Sequence, residues 1–418
     1  MKTVFMLIFV CTMILATPSL AQNSIAIKGS VRPHAPISIV GQKSMIAGTE
    51  NGVFEAWIFP YQICHGFQLS YQTNAATLPI PLASLAQNIE VRPEATTITF
   101  SHPLFTVRET IFAPIDMSAL VALLEVDSYQ DLTLIASFFP DMEPMWPAGL
   151  GGQYAFWDDK TKAYVISESR RLRHAFIGTP KARPLSAPLA HELAQAPSQF
   201  AFDCKRHEGR PQKFPIILAA DFAKRETARA LYEKLLTNYP EELEKTRQHY
   251  QKVRDEFLSI ETPDAKLNIA FAWAKVALTK GFINNPDLGT GMVAGFGPSG
   301  ASQRPGFGWF FGGDCFTNSF AMAGYGDFNT VREAFRFLQK RQRDDGKMMH
   351  ELTQAAALIE WFKDFPYGYI HGDTTPYYLV AFWNYLLAGG DVDFLRESWP
   401  SLKKAYTWSR ATDRTMTV

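Results

Sequence analysis

Residues 304–314 combine side chains that suit carbohydrate binding. They read Arg-Pro-Gly-Phe-Gly-Trp-Phe-Phe-Gly-Gly-Asp and include Trp309, Phe310 and Asp314. Glycines let the backbone approach a ligand closely, aromatic rings offer flat apolar faces, and a carboxylate accepts hydrogen bonds from hydroxyl groups. Asp314 would also be an ordinary N-cap of a following helix. Because capping alone does not require the aromatic and glycine residues, we predict that Trp309, Phe310 and Asp314 bind a sugar substrate.

A second loop at 367–378 reads Tyr-Gly-Tyr-Ile-His-Gly-Asp-Thr-Thr-Pro-Tyr-Tyr. Asp373 or Thr374 can cap a helix whose first turn contains Pro376, so capping explains part of this motif without any ligand. Capping does not explain His371 or the flanking tyrosines. We therefore predict that His371 and Asp373 also bind substrate.

A third loop at 344–351 gives a weaker signal. Its Asp-Asp-Gly segment is ordinary turn chemistry, which leaves His350 and Glu351 as candidate substrate-binding residues at the rim of a site. A lone histidine is more often structural than catalytic, so the sequence is compatible with either a structural or a substrate-binding role for His350. The sequence shows no metal-ligand spacing and no cofactor motif, and we predict neither a metal nor a cofactor.

The segments that must position these loops fall into two classes. Residues 22–220 carry short alternating or wholly apolar runs separated by turn residues, which predicts a β-sandwich with a surface loop at 183–198. Residues 221–260 are rich in Ala, Glu, Lys and Leu and predict a helical linker, broken in two at Tyr239-Pro240. Residues 261–418 predict amphipathic helices at 264–281, 315–325, 329–343, 376–388 and 391–410.

Four segments together resemble the six-hairpin glycosidases, and among these the bacterial glycogen-debranching, amylo-α-1,6-glucosidase-like proteins. They read Gly-Trp-Phe-Phe-Gly-Gly-Asp-Cys-Phe-Thr-Asn, Asp-Gly-Lys-Met-Met-His-Glu, Gly-Asp-Thr-Thr-Pro-Tyr-Tyr and Gly-Gly-Asp-Val-Asp-Phe-Leu-Arg-Glu-Ser-Trp-Pro, at 308–318, 345–351, 372–378 and 389–400. The resemblance implies a multidomain β + α fold, with an N-terminal β-sandwich followed by an (α/α)6 barrel. The order of elements inferred from the residues agrees with it.

The resemblance also implies inverting hydrolysis of α-glucan-type oligosaccharides by a carboxylic acid and a carboxylate. It places Asp314 and Asp373 at the sugar-binding end of the barrel, although Gly313 replaces an arginine of the family pattern. The residues after 263 suffice for about half of the helices of a full barrel. We therefore expect an incomplete barrel, cut at Val418 by a frameshift or a truncated gene model. The true catalytic pair would then lie beyond Val418, leaving Asp373 as the candidate acid within this chain.

The N-terminus predicts export. Residues 1–21 combine a basic start, an apolar run from Val4 to Leu15 and small residues before Gln22, which is the pattern of a cleaved signal peptide. An uncleaved N-terminal anchor is the alternative, and no later segment resembles a membrane span. With 41 basic and 41 acidic residues, the chain has no electrostatic preference for nucleic acid. We expect a periplasmic or secreted protein whose partner is an oligo- or polysaccharide.

The sequence is compatible with three functions. The first is a glycoside hydrolase-like protein, and the second is a non-catalytic carbohydrate-binding pseudoenzyme that keeps the aromatic and carboxylate surface. The third is a polysaccharide lyase on an α/α toroid, in which Tyr369 and His371 would carry out β-elimination. Lyases act on uronic acids and favour a basic cleft, whereas these loops hold carboxylates and aromatic rings, so the lyase ranks last.

Overall fold

The computed structural model describes residues 25–73 and 78–413 of the chain. The predicted signal peptide at 1–21 and the terminal residues 414–418 lie outside this part. Within it, a region of β-strands comes first and a mainly helical region follows. This order confirms the prediction of a β-rich N-terminal part and a helical C-terminal part.

The N-terminal region folds into two antiparallel sheets that share one core. Its strands are β1 (Ile27–Ser30), β2 (Pro36–Val40), β3 (Ser44–Thr49), β4 (Phe54–Ile58), β5 (Tyr61–Thr73), β6 (Ile80–Pro81), β7 (Ala86–Val91), β8 (Thr96–His102), β9 (Phe105–Phe112), β10 (Ala119–Ser128), β11 (Leu132–Pro144), β12 (Gln153–Asp158), β13 (Ala163–Glu168), β14 (His174–Gly178), β15 (Arg183–Ser186), β16 (Ser198–Cys204) and β17 (His207–Asp221). One sheet has the order β1-β7-β8-β9-β10-β17-β14-β13-β12. The other has the order β15-β16-β11-β5-β4-β3-β2, with β6 beside β5.

Period-two alternation explains why these segments form strands around a core. Along β9, Phe105, Val107 and Ile111 belong to the core between the sheets, while Arg108 on the opposite face is exposed. The strands predicted from this alternation are present. The predicted surface loop at 183–198 is wrong in part, because its first residues form β15 at the edge of the second sheet. An edge strand needs only one partner, so a Pro-containing segment can occupy it.

The linker is one helix, α1 (Arg225–Glu256), and the predicted break at Tyr239-Pro240 is wrong. Pro240 removes one backbone hydrogen bond from a helix interior, which normally kinks or ends the helix. Here Tyr232 and Leu235 before the proline are buried with residues of the first sheet, and Tyr250 after it donates to the carbonyl of Val40. Packing on both sides of the proline therefore holds the helix in one piece.

Replacing Pro240 by Ala should stabilise the protein, because it restores a helix hydrogen bond at an exposed position. We expect the free energy of unfolding to rise by about 1–3 kcal/mol in urea titrations. Pro376 supplies a matched control, since it lies in the first turn of its helix, where the backbone N–H has no intrahelical partner. An equal gain for Pro376→Ala, or no gain for Pro240→Ala, would contradict this account.

The C-terminal region contains the remaining helices and a small sheet. The helices are α2 (Ala265–Lys280), α3 (Gly312–Tyr325), α4 (Phe328–Gln339), α5 (Trp361–Asp364), α6 (Thr374–Gly389) and α7 (Val392–Thr412). The sheet has four strands in the order β18 (Phe282–Asn285), β19 (Gly289–Gly295), β20 (Phe307–Phe311) and β21 (Glu351–Leu352). Short 3₁₀ turns occur here at Gly300–Ser302, Ala356–Leu358 and Pro366–Tyr369, and another lies in the N-terminal region at Leu82–Leu85.

Local capping accounts for several of the helix ends. Asp264 and Asp391 accept backbone hydrogen bonds at the starts of α2 and α7, and Gly390 ends α6 in the left-handed conformation. The predicted helices are therefore present with small shifts at their ends.

No helix in the described ranges is long and apolar enough to cross a membrane. Cys64, Cys204 and Cys315 are free thiols, and each is buried.

Candidate functional site

The small sheet joins two of the three predicted loops. Strands β20 and β21 pair so that Phe311 lies opposite Glu351, and the backbone N–H of Gly312 donates to the carbonyl of His350 over 2.8 Å. A Cβ atom at Gly312 would lie 2.3 Å from the carbonyl oxygen of Met349, so only glycine permits this close approach. The loops at 304–314 and 344–351 are thereby held side by side.

The third loop meets the other two through a pair of histidines. The rings of His350 and His371 stack with centroids 3.9 Å apart and planes 1° from parallel. The backbone N–H of His350 also donates to the carbonyl of Gly368 over 2.7 Å. On either side of the stacked pair, Glu351 Oε2 lies 3.9 Å from His350 Nε2, and Asp373 Oδ1 lies 3.6 Å from His371 Nδ1. We call these four residues the imidazole–carboxylate cluster.

Burial shifts the pKa of two members of this cluster, His350 and Glu351. It lowers the pKa of His350, and the neighbouring His371 lowers it further, while the charges of Asp373 and Asp314 oppose the shift. Burial raises the pKa of Glu351, against the positive charges of Arg304 and His371. The site therefore combines an imidazole that favours its neutral form with a carboxyl group that holds its proton more tightly than usual. Such a carboxyl group can donate a proton.

Neither predicted aspartate caps its helix through its side chain. The N-cap of α3 is Phe311, and Asp314 lies exposed in the first turn. Asp373 occupies the N-cap position of α6, but its side chain makes no capping hydrogen bond and is 82% exposed. The capping explanation thus does not account for either carboxylate, and both can accept hydrogen bonds from a ligand.

Trp309 and Phe310 lie in the core rather than on a binding surface. Trp309 is 2% exposed and Phe310 is fully buried, with its ring 4.3 Å from that of Phe337. Strand β20 runs between β19 and β21, and its aromatic side chains other than Phe307 lie in the core. We therefore correct the prediction for these two residues, since their burial leaves no free ring face for a sugar.

Besides Phe307 of the same loop, which is 61% exposed, an exposed ring beside Trp309 comes from the β-sandwich. Trp146, just after β11, is 40% exposed and stacks on Trp309 with centroids 5.7 Å apart and planes 9° from parallel. Its ring centroid also lies 6.2 Å from those of Tyr367 and Phe365. Sequence reasoning missed Trp146, because nothing near it in the chain signals a site. Its exposed ring, beside that of Tyr367, offers the apolar face that was expected of Trp309.

The cluster contains no evident metal site. Within residues 25–73 and 78–413, no three His, Cys, Asp or Glu side chains are grouped so that they could hold a metal ion.

Comparison with known proteins identifies the fold. No protein-family model and no curated protein matches the sequence. A solved structure described as a kojibiose phosphorylase, from the human microbiome, superposes with a TM-score of 0.57 at 7% identity, covering 89% of this chain and 56% of its own. A bacterial glucoamylase complexed with acarbose gives a TM-score of 0.53 at 11% identity, covering 93% of this chain and 69% of its own.

The chain therefore spans little more than half the length of the first of these structures. At such low identities the likeness concerns the fold alone. The superpositions extend over most of the β-rich and helical regions of this chain, so the chain shares the fold of the corresponding parts of these two structures.

Proposed function

We propose that this protein is a glycoside hydrolase-like protein that binds α-glucan-type oligosaccharides at the imidazole–carboxylate cluster. The observation that carries the proposal is that backbone and ring contacts join the three loops, and that Trp146 of the sandwich stacks on Trp309 of one loop and lies beside Tyr367 of another. A pyranose needs an apolar face to stack on and carboxylates or imidazoles to accept hydrogen bonds from its hydroxyls. Trp146 supplies the first, and Glu351, His371 and Asp373 supply the second.

The reaction class that we propose is inverting hydrolysis, which needs one protonated carboxyl group and one carboxylate. Glu351 suits the acid better than Asp373, because burial raises the pKa of Glu351 whereas the Asp373 side chain is largely exposed. Asp314 and Asp373, whose charges act on the neighbouring His350, are the candidate carboxylates. A preference for α-1,6 branch points is the finer proposal, based on the resemblance to debranching proteins.

The alternative is binding without catalysis. It is favoured by the exposure of Asp314 and Asp373, since neither carboxylate lies in the enclosed setting that usually activates a catalytic water. The lyase remains the least supported function. The hydroxyl of Tyr369, which would serve a lyase, instead donates to the carbonyl of Arg341 over 2.7 Å, and burial raises its pKa.

Assays with maltotriose and a branched α-glucan separate these functions. We expect calorimetry to detect binding, and Glu351→Gln to reduce any reducing-sugar release by about 100-fold or more with little change in affinity. The exposed Glu360, at the N-cap of α5, provides a matched control as Glu360→Gln. Turnover that survives Glu351→Gln would refute the acid role, and binding without turnover would support the non-catalytic alternative. Failure to bind either sugar would overturn the proposed function.

We also propose that the protein is exported after cleavage before Gln22. The support is the sequence pattern of residues 1–21. N-terminal sequencing of the protein recovered from the periplasm or the medium should begin at Gln22. A cell-associated product that still starts at Met1 would favour the uncleaved anchor.

A further inference from the structure

The loop at 296–306, between β19 and β20, is fastened to the β-sandwich by two carboxylates. Glu55 on β4 accepts hydrogen bonds from the Ser299 backbone N–H over 2.9 Å and from the Ser299 hydroxyl over 2.7 Å. Glu143 on β11 accepts a hydrogen bond from Gln303 Nε2 over 2.7 Å. Each carboxylate belongs to one region of the chain and its donor belongs to the other, so these contacts fix the loop relative to the sandwich.

Gln303 occupies an unusual backbone conformation at this junction. Its φ of 50° and ψ of 33° lie in the left-handed region, which is unfavourable for a residue with a Cβ atom. Its carbonyl accepts a hydrogen bond from the Trp146 backbone N–H over 3.0 Å, while its side chain reaches Glu143. These two hydrogen bonds together hold Gln303 in a backbone conformation that it would otherwise avoid.

The residue that follows is Arg304, and its position depends on this conformation. The Arg304 guanidinium lies 4.7 Å from the Trp309 ring centroid and 5.0 Å from that of Phe307. Its charge acts on Glu351, a member of the imidazole–carboxylate cluster. The Arg304 side chain is partly exposed, and its guanidinium carries N–H groups that can donate hydrogen bonds to a ligand.

We propose that Glu143 and Gln303 are positioning residues, through which the β-sandwich holds Arg304 at the sugar site. The proposal rests on the proposed function for the identity of the ligand, but the positioning itself is a property of the ligand-free protein. Arg304 touches the ligand, and Glu143 and Gln303 act through it. The sandwich therefore contributes to the site twice, by the exposed ring of Trp146 and by the placement of Arg304.

Three variants separate positioning from stability. Gln303→Asn keeps a residue type that tolerates the left-handed conformation, but its side chain is one methylene too short to reach Glu143. Glu143→Ala removes the acceptor, whereas Glu143→Gln keeps an oxygen that can accept the same hydrogen bond. We expect Gln303→Asn and Glu143→Ala to weaken maltotriose binding roughly five- to tenfold, with Glu143→Gln close to the wild type.

Hydrogen exchange of the ligand-free protein gives a second measurement that needs no sugar. Amides at 296–306 should exchange faster in Gln303→Asn and Glu143→Ala than in the wild type or Glu143→Gln, while amides of the sandwich strands stay unchanged. Unchanged exchange in this loop would overturn the positioning proposal, as would unchanged affinity in both variants. If the wild type binds no sugar, the proposed function fails, and the exchange rates still decide whether Glu143 and Gln303 position the loop.

Discussion

At pH 8 the Glu109→Gln variant should be clearly more stable than the wild type, and the difference should disappear below about pH 5. Glu109 lies on the inner face of β9, between Val107 and Ile111, and its side chain is fully buried. Neither of its carboxyl oxygens has a hydrogen-bond partner among the described residues. Burial raises its pKa from 4.5 to about 8, so the folded protein keeps this carboxyl group protonated at neutral pH.

The sign of the effect is set by proton release. Between pH 4.5 and about 8 the folded state holds the Glu109 proton and the unfolded state does not, so unfolding releases one proton. The stabilisation that Glu109 contributes is fully present below its pKa in the unfolded state. It is lost as the pH rises towards its pKa in the folded state. The folding equilibrium constant should therefore fall roughly tenfold per pH unit in this interval. A glutamine side chain cannot ionise, so the Glu109→Gln variant should lack this slope.

The measurement is urea denaturation of both proteins from about pH 4 to pH 8.5, with the difference between them plotted against pH. Glu50 supplies a control of opposite sign, because it is also buried but is hydrogen-bonded to Arg32. Although burial alone would raise the pKa of Glu50, the bonds from Arg32 lower it overall. The Glu50 carboxylate therefore stabilises the folded protein at neutral pH, and this stabilisation is lost as the pH falls. Glu50→Gln should be less stable than the wild type at neutral pH, and the difference should shrink in acid. Parallel pH profiles for wild type and Glu109→Gln would refute the prediction.

The Trp146→Ala variant should bind maltotriose far more weakly than the wild type. Truncating an exposed aromatic ring at the centre of a binding surface typically costs about 2 kcal/mol, which is roughly thirtyfold in Kd. The loss should include the support that Trp146 gives to Trp309, since the two indoles stack. Calorimetric titration of the two proteins under the same conditions measures the effect.

Trp383 on α6 is a matched control, because it is 59% exposed and belongs to the same chemical type. It follows Asp373 by ten residues, which corresponds to about 15 Å along a helix. Trp383→Ala should leave maltotriose affinity unchanged. Equal losses in the two variants would indicate a general effect of removing tryptophan, and an unchanged Trp146→Ala would place the sugar elsewhere on the molecule.

Local patterns in the sequence were enough to predict much of the fold. The alternation Phe105, Val107, Ile111 defines the inner face of β9, and the same alternation places Glu109 inside. Asp264 and Asp391 mark the starts of α2 and α7, because an aspartate side chain satisfies the free N–H groups of the first turn. These predictions hold because neighbouring residues determine them.

The sequence by itself therefore determined the order of the two regions, most of their elements, and the three loops that carry His350, Glu351, His371 and Asp373. Only the tertiary structure decided which of the aromatic rings near these loops are exposed. Trp309 and Phe310 are aromatic residues of the kind that stack on sugars, but they lie on β20, which is paired on both edges, and both side chains are buried. Trp146 of the β-sandwich stacks on Trp309 and is exposed. Likewise, packing against the first sheet keeps α1 intact across Pro240. The physical reason is that burial and contacts between distant segments depend on how whole elements pack, which no local pattern records.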